Sequence, residues 1–187
     1  GKNVLLVVDS ITRFAHAARE VGLAAGEPPT VRGYPPSFFA TVPQLLERMG
    51  RLQSGSITGL LTVLVDGDED DDPVADALRG LLDGHISLSP ELARSGHYPA
   101  IDVLDSLSRL MPKLADKPHQ ARARAIRELL AAFRDGRDLV DVGAYQPGSN
   151  RLLDMALERM PMIEAFLRQD VDDPTALEET VAVLSLI

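Results

Sequence analysis

Residues 2–15 read KNVLLVVDSITRFA, and this stretch decides the fold. Five consecutive apolar residues, at positions 4–8, end abruptly on Asp9. A short, continuous run rich in branched side chains predicts a strand that is buried on both faces, as in a parallel sheet. Apolar residues at helical spacing then predict a helix over residues 10–24.

The aspartate at the end of this strand has two interpretations. Ligands of open parallel sheets bind beyond the carboxyl ends of the strands. Asp9 would there hold a magnesium ion beside bound phosphates, directly or through water. The alternative is that Asp9 caps the helix that starts at Ser10. The stretch by itself leaves both interpretations open, because an apolar run followed by an aspartate is a common pattern.

The rest of the chain alternates strands and helices before it becomes purely helical. Helices are predicted over residues 37–51, 74–82 and 90–94, strands over 57–65 and 85–89, and a loop ending in one or two helical turns over 96–110. Beyond Pro118 only helices are predicted, over residues 121–133, 152–167 and 175–186. This order predicts an α/β fold, with a parallel-sheet domain in residues 1–115 and an all-helical domain in residues 116–187.

The composition limits the classes of function that the chain can have. Its 187 residues, 45% hydrophobic and 25% charged, suffice for one well-packed domain or a domain with a small appendage. The absence of cysteine excludes disulfides and thiolate metal sites, and the net charge of −9 argues against broad nucleic-acid binding. No apolar run approaches the ~20 residues of a membrane span. Because the sequence opens directly in an apolar strand, we expect it to be a fragment.

Three further side chains are candidates for a site, each with a structural alternative. Arg13 lies one helical turn beyond Asp9, so its guanidinium either returns toward the same strand end or is solvated or ion-paired. Arg109 closes the stretch DSLSR after a rigid YPAID loop, a setting that presents a side chain outward. Tyr98 either packs in the core or offers its ring to a planar ligand.

Other patterns favour structural interpretations. The acidic loop at residues 66–73 has aspartates at alternate positions, but Asp71 and Ala77 stand where a calcium-binding EF-hand loop requires glycine and glutamate. A solvated loop is therefore predicted. The arginines at positions 122, 124 and 127 are predicted to form a solvated face or salt bridges. The histidines lack metal-ligand spacing and are predicted to be structural or exposed: His16, His85, His97 and His119.

Several motifs, in order along essentially the whole chain, resemble one family. They are GEPPTVRGYPPS at residues 26–37, LDGHISLS at 82–89, GHYPAIDVLDSLSR at 96–109 and GAYQPGSN at 143–150. They resemble the flagellar and type III secretion export ATPases, which are related to the subunits of rotary ATP synthases. The resemblance implies the latter half of a RecA-like parallel-sheet nucleotide-binding core, followed by an all-helical C-terminal domain.

The resemblance also implies roles for individual residues. Asp9 matches the Walker B aspartate, which coordinates the magnesium of ATP, and Arg13 matches the arginine of the same motif, which would brace the site. Arg109 resembles the arginine finger that one subunit inserts into the nucleotide site of its neighbour. Tyr98 matches a tyrosine near the adenine, and Tyr145, in GAY, is also expected beside the base.

The family resemblance further implies partners and a location. We expect a homo-oligomer, a hexameric ring in the intact protein, that hydrolyses Mg-ATP at the cytoplasmic face of the secretion apparatus, peripheral to the inner membrane. It would release chaperones and unfold export substrates, without binding nucleic acid. Residues 27–34 correspond to a loop that faces the central channel and engages a stalk protein. Stator-type export proteins and chaperone–substrate complexes are the other expected partners.

One departure from the family pattern affects activity. The phosphate-binding motif GxxxxGK[ST] is absent, since GKN at residues 1–3 has neither its leading glycine nor its hydroxyl residue. The catalytic glutamate of the family, which precedes the Walker B strand, is missing too. We therefore expect residues 1–187 alone not to hydrolyse ATP. The alternatives are a rotary ATP synthase subunit, coupled to proton flow, or a non-catalytic module that binds export chaperones.

Overall fold

The computed structural model describes residues 1–65 and 72–187. The sequence analysis predicts a solvated acidic loop at residues 66–73 and weighs a calcium site there. Positions 66–71 of this loop, which carry the alternating aspartates, lie outside the described residues. Contacts within the chain define two compact units, Gly1–Leu82 and Asp83–Ile187. The division into domains at residues 115 and 116 stays a prediction.

The N-terminal unit contains a small sheet and the helices that connect its strands. Its elements are β1 (Asn3–Val8), α1 (Ile11–Ala24), a 3-10 turn (Val31–Gly33), α2 (Pro36–Leu46), β2 (Gly50–Arg51), β3 (Ser56–Leu61) and α3 (Pro73–Leu81). Strands β1 and β3 pair in parallel from Asn3 opposite Ser56 to Val8 opposite Leu61. The short β2 is antiparallel to β3 on its other side. The parallel α/β arrangement expected from the sequence is therefore present.

The apolar core of this unit lies among its helices. Phe38 is almost completely buried in α2, and its ring packs against Tyr34, with centroids 4.9 Å apart, and against Phe39. The buried residues of this core are Ile11, Ala15, Tyr34, Phe38, Val42, Val74 and Leu78. Helices α1, α2 and α3 are thus held together by side chains at helical spacing, as their sequences predict.

Strand β1 is not buried on both faces, and that prediction is wrong. Leu5 is 66% exposed and Val7 is 58% exposed. Within the described residues β1 pairs only with β3, and the core of the unit is formed by helices instead of by the sheet. An apolar run therefore indicates what a strand can bury, whereas neighbouring elements decide whether it is covered.

Two predicted boundaries in this unit also move. The second helix was expected to reach residue 51, but it ends at Leu46 because Gly50 and Arg51 pair with β3. The strand predicted over residues 57–65 spans Ser56–Leu61, and the chain leaves the sheet at Thr62. Both shifts follow from pairing between strands, which local sequence does not encode.

The C-terminal unit begins with two antiparallel strands and continues as helices. Its elements are β4 (Gly84–Leu88), α4 (Pro90–Arg94), β5 (Ile101–Ser108), α5 (Met111–Leu114), α6 (Lys117–Asp141), α7 (Arg151–Leu167) and α8 (Leu177–Leu184). The buried residues of its core are Ile126, Leu129, Ala156, Met160, Ile163, Leu184 and Ile187. Gly136 allows α6 and α7 to approach closely, because a Cβ added there would collide with the Leu153 side chain.

Residues 96–110 do not end in helical turns, and that prediction is wrong. Instead, β5 pairs with β4, with Ile101 opposite Leu88 and Ser108 opposite Gly84. The register shifts between these paired ends, so the middle of β5 is irregular. Leu104 and Asp105 lie there and interrupt the alternation of apolar and polar residues by which a strand is recognised in a sequence.

Helices α6, α7 and α8 lie where the sequence predicts helices, but their lengths differ from the predicted ones. Helix α6 extends well beyond the predicted residues 121–133, and its first turn is capped by Asp116, which accepts a hydrogen bond from the His119 amide at 2.8 Å. Asn150 caps α7 by accepting from the amides of Leu152 and Leu153. Among the helices that the structure describes, none is both long and apolar enough to cross a membrane.

Candidate functional site

Asp9 lies at the carboxyl end of β1, beside the end of the parallel strand β3. The residue that follows β3 is Thr62, and its hydroxyl donates a hydrogen bond to Asp9 Oδ1 at 3.0 Å. Because parallel strands end at the same edge of a sheet, two side chains that are 53 positions apart meet there. This edge is the place where open α/β sheets bind their ligands.

Backbone hydrogen bonds connect the ends of β1 and β3 around Asp9 and Thr62. The Thr62 amide donates to the Val8 carbonyl at 3.0 Å, and the Ile11 amide donates to the Thr62 carbonyl at 3.0 Å. In the first turn of α1, the Thr12 hydroxyl accepts from the Leu64 amide at 2.9 Å. The strand ends and the first turn of α1 therefore form one hydrogen-bonded frame under the Asp9 carboxylate.

The capping interpretation of Asp9 finds no support in this geometry. The N-cap residue of α1 is Ser10, and no side-chain hydrogen bond caps the helix there. With the described residues, the carboxylate of Asp9 makes its hydrogen bond to Thr62. Ser10 itself is only 4% exposed, and its hydroxyl has no hydrogen-bond partner among those residues. A buried polar atom without a partner is rare in proteins.

The donor atoms at this edge suit a hard cation that brings most of its own ligands. Asp9 is exposed, which leaves carboxylate oxygen available beside the Thr62 hydroxyl. In residues 1–65 and 72–187, no group of three His, Cys, Asp or Glu side chains is placed to hold a metal ion. Magnesium is typically held by one or two carboxylates together with phosphate and water oxygens. The residues present fit such an ion.

Arg13 is exposed one helical turn from Asp9. Its backbone amide donates to the Ser10 carbonyl at 3.2 Å, in the first turn of α1. Among the contacts of residues 1–65 and 72–187, the hydrogen bond to the Asp9 carboxylate comes from Thr62 and not from the Arg13 guanidinium. A bracing role for Arg13 therefore stays a prediction.

Arg109 is exposed directly after the end of β5. Its backbone amide donates to the Asp83 carbonyl at 2.8 Å, so the chain at this point is fixed against the start of β4. Tyr98, in the preceding loop, is 56% exposed, and its carbonyl accepts from the Gln169 amide at 3.0 Å. Both side chains are thus presented at the surface of their own unit by backbone that is hydrogen-bonded in place.

The Tyr145 hydroxyl makes its hydrogen bonds to residues at the start of α7, close to it in the sequence. It contacts Asp154 Oδ1 at 2.8 Å and the Asn150 carbonyl at 3.0 Å. Asp154 also accepts from the Gly148 amide, so the carboxylate closes the turn before α7. Loss of solvent, and then the hydrogen bond to Asp154, raise the pKa of Tyr145 above its usual value. A contact with a base would have to use the ring face of Tyr145, since the hydroxyl is bonded.

The sequence missed two residues that the structure places around the candidates. Thr62 is one, and the sequence carried no signal for it, because it stands inside the apolar run that predicts a strand over residues 57–65. Arg127 is the other, and its prediction as a solvated or salt-bridged residue is wrong. Its half-buried guanidinium donates to backbone carbonyls of β5, including that of Leu104 at 3.1 Å, whereas Arg122 and Arg124 are exposed.

Comparison with known proteins defines the class of the chain. The model of the ATP synthase alpha/beta family, nucleotide-binding domain, matches residues 1–108. The chain therefore belongs to the ATP synthase alpha/beta family. A second model, the T3SS EscN ATPase C-terminal domain, matches residues 115–185 and places the chain nearer to secretion ATPases than to other members.

Individual relatives agree with this position in the family. The flagellum-specific ATP synthase of Bacillus subtilis is 50% identical over 99% of the chain, and the type 3 secretion system ATPase of Xanthomonas euvesicatoria is 50% identical over 100%. The chain spans 42% of the length of each. The assembled ATPase EscN of enteropathogenic E. coli superimposes with a TM-score of 0.92 at 42% identity, covering 96% of this chain and 44% of EscN. The resemblance to flagellar and type III secretion ATPases is confirmed.

Proposed function

We propose that the chain forms the latter part of an ATP-driven motor of the flagellar or type III secretion apparatus. Family membership and relatives of both kinds at about 50% identity support this proposal. The observation that carries it is the Asp9 carboxylate at the carboxyl end of a parallel strand, hydrogen-bonded to Thr62 at the end of the adjacent strand. The match of residues 115–185 to a secretion ATPase domain favours export over a rotary synthase subunit.

Asp9 holds the magnesium ion of bound ATP in this proposal, directly or through water. The ion, when bound, neutralises charge on the phosphates during transfer. Thr62 orients the carboxylate, so the carboxylate loses little freedom when it takes up the cation. Arg13, one turn away, provides positive charge near the same edge and braces the site.

Arg109 acts in the nucleotide site of a neighbouring subunit. Its exposure supports this role, because a side chain that serves another subunit must lie at the surface. A guanidinium placed there stabilises charge that develops on the transferred phosphoryl group, an effect worth about 10³–10⁵ in rate. Tyr98 offers an exposed ring to the adenine. Tyr145 contributes through its ring face.

The partners proposed for the whole protein follow those of its relatives. EscN is known as an assembled ATPase and in a complex with its central stalk EscO, and both structures cover 96% of this chain. We propose a homo-oligomeric ring, a hexamer, whose channel loop at residues 27–34 contacts a stalk protein. Chaperone–substrate complexes and stator-type proteins are further proposed partners. The proposed location is the cytoplasm, peripheral to the inner membrane.

The test of the magnesium site compares Asp9→Asn with wild type in the complete gene product that contains residues 1–187. Asp9→Asn keeps the shape of the side chain and removes its charge. We expect ATP turnover to fall at least ~10²-fold, with a weaker apparent affinity for magnesium. Glu20→Gln, an exposed carboxylate on α1, is the control and should retain both. Wild-type turnover in Asp9→Asn would contradict the proposal.

A mixing experiment tests whether Arg109 acts between subunits. Asp9→Asn and Arg109→Ala subunits are each expected to retain only a small residual turnover. When mixed, they create interfaces that pair an intact Asp9 with an intact Arg109, and turnover should partly recover. No recovery, with mixed rings verified by mass, would place Arg109 in its own subunit's site. Residues 1–187 alone should show no magnesium-dependent turnover.

A further inference from the structure

Arg127 makes an unusual set of contacts in the C-terminal unit. Its half-buried guanidinium donates to three backbone carbonyls of β5: Nη1 to Val103 and, at 3.2 Å, to Ser106, and Nη2 to Leu104 at 3.1 Å. No carboxylate is among these acceptors. The side chain therefore satisfies main-chain groups instead of forming a salt bridge.

The three carbonyls lie where β5 lacks a regular partner strand. His85 pairs with Leu107 and Ser87 with Asp102, so a single residue of β4 faces residues 103–106 of β5. We call these four residues the β5 bulge. Bulges bend a strand and leave backbone groups without ladder partners, and such groups must be satisfied by other means when they are buried.

Side chains supply partners for all four carbonyls of the bulge and for two of its amides. Arg127 serves the carbonyls of three bulge residues. The remaining carbonyl, that of Asp105, contacts His85 Nε2 at 2.9 Å and accepts from the Ser87 hydroxyl at 3.2 Å. Asp102 accepts from two bulge amides, at 2.8 and 3.0 Å. Arg127 thus serves three of the four carbonyls of the bulge, while Arg134 contacts the Asp105 carboxylate.

The planar guanidinium is suited to this task. Its donors form a rigid fork that reaches several acceptors at once, whereas a lysine ammonium is a compact charge on a flexible stem. Arg127 also starts from a firm base, because its neighbours on α6, Ile126 and Leu129, are buried in the apolar core of the unit. Arg127 therefore links the bulge to a helix that is itself held in place by the apolar core.

The bulge lies immediately before Arg109. Only Leu107 and Ser108 separate them, and the Arg109 amide is bonded to the Asp83 carbonyl. We propose that Arg127 is a positioning residue: by fixing the β5 bulge it sets the direction in which Arg109 leaves the strand. This inference rests on the proposed function, because the direction of Arg109 affects turnover only if Arg109 acts in a nucleotide site.

The test uses the complete gene product and three variants of α6. Arg127→Met keeps the aliphatic stem and removes every donor, Arg127→Lys keeps the charge without the fork, and Arg122→Met is the exposed control on the same helix. We expect kcat to fall about 10- to 100-fold in Arg127→Met with KM for ATP unchanged, because a small misplacement affects the transition state more than binding. Arg127→Lys should be intermediate, and Arg122→Met should match wild type.

A double-mutant cycle separates positioning from general stability. In an Arg109→Ala background, Arg127→Met should cause no further loss of kcat, because the side chain that it positions is gone. Equal losses in both backgrounds would overturn the inference. Wild-type kcat in Arg109→Ala would instead refute the proposed role of Arg109, whatever Arg127 does.

Amide hydrogen exchange provides a readout that does not depend on activity. Arg127→Lys should lose protection at residues 103–109 while the buried part of α7 keeps it. This measurement stands if Arg127→Met fails to assemble. Unchanged protection of residues 103–109 in Arg127→Lys would show that the guanidinium does not hold the bulge and would overturn the inference.

Discussion

The two units of the chain position their candidate site residues by different means. In Gly1–Leu82, Asp9 is fixed by a short side chain and by backbone bonds at the ends of two regular parallel strands. In Asp83–Ile187, Arg109 follows an irregular strand whose carbonyls are satisfied by the long side chain of Arg127.

This difference has a physical origin. Regular parallel pairing brings strand ends to one edge with all ladder bonds made, so only a hydroxyl is needed to orient the carboxylate. A bulged strand has lost ladder bonds and needs donors from elsewhere. The second arrangement therefore depends on a helix being held by its own apolar core, whereas the first depends on strand register.

The largest expected effect comes from removing the apolar support of each unit. Phe38→Ala should lower the free energy of unfolding by about 3–5 kcal/mol and Ile163→Ala by about 2–5 kcal/mol, since both side chains are fully buried. Hydrogen exchange should show that Phe38→Ala affects chiefly α1–α3 and Ile163→Ala chiefly α6–α8. If Ile163→Ala leaves the exchange of the β5 bulge unchanged, the dependence of the bulge on the helical core is refuted.

The next largest effect is expected from removing the hydrogen bond between Thr62 and Asp9. Thr62→Val removes the donor to Asp9 at nearly constant shape, and the affinity of the complete gene product for magnesium in the presence of nucleotide should fall about 10- to 100-fold. Thr62→Ser should retain it. Thr58→Val, at an exposed position on β3, serves as the control. An unchanged affinity in Thr62→Val would mean that strand register alone orients the carboxylate.

A smaller effect is expected at helix caps, which both units use alike. Asn150→Ala removes the acceptor for two amides of α7, and Asp72→Ala does the same for α3. Each should lower the free energy of unfolding by about 1 kcal/mol, measured by denaturant titration. Asn150→Asp should retain stability. A much larger loss at Asn150 would show that the turn before α7 supports more than its own helix.

The smallest effect concerns stability at alkaline pH. Burial raises the pKa of Tyr34, with Arg19 lowering it and Asp72 raising it, and loss of solvent raises the pKa of Tyr145. Because both folded-state pKa values lie above the usual value near 10, the contribution of each tyrosine is fully present below pH 10. It is lost as the pH rises through the folded pKa.

Unfolding of Tyr34→Phe and Tyr145→Phe, measured between pH 8 and 12, tests this sign. Each variant should lose less stability than wild type as the pH rises. Parallel curves for wild type and both variants would show that neither phenol titrates differently in the folded protein.

The sequence alone determined the features that depend on neighbouring residues. The opening apolar run predicted a strand that ends on Asp9, and the helical spacing after residue 118 predicted α6, α7 and α8. Asn150, a residue type that favours helix caps, stands just before the predicted helix at residues 152–167 and caps α7. Propensity, periodicity and capping act within a few residues, so a single stretch contains the information.

Only the tertiary structure decided the features that join distant residues. It made a strand of residues 101–108, left β1 exposed, brought Thr62 to Asp9 across 53 positions and directed Arg127 to carbonyls 21 to 24 positions away. A strand forms where a partner strand is available, and a donor is used where a buried carbonyl lacks one. Both conditions are set by chain segments that meet only after folding, and no local pattern of side chains encodes them.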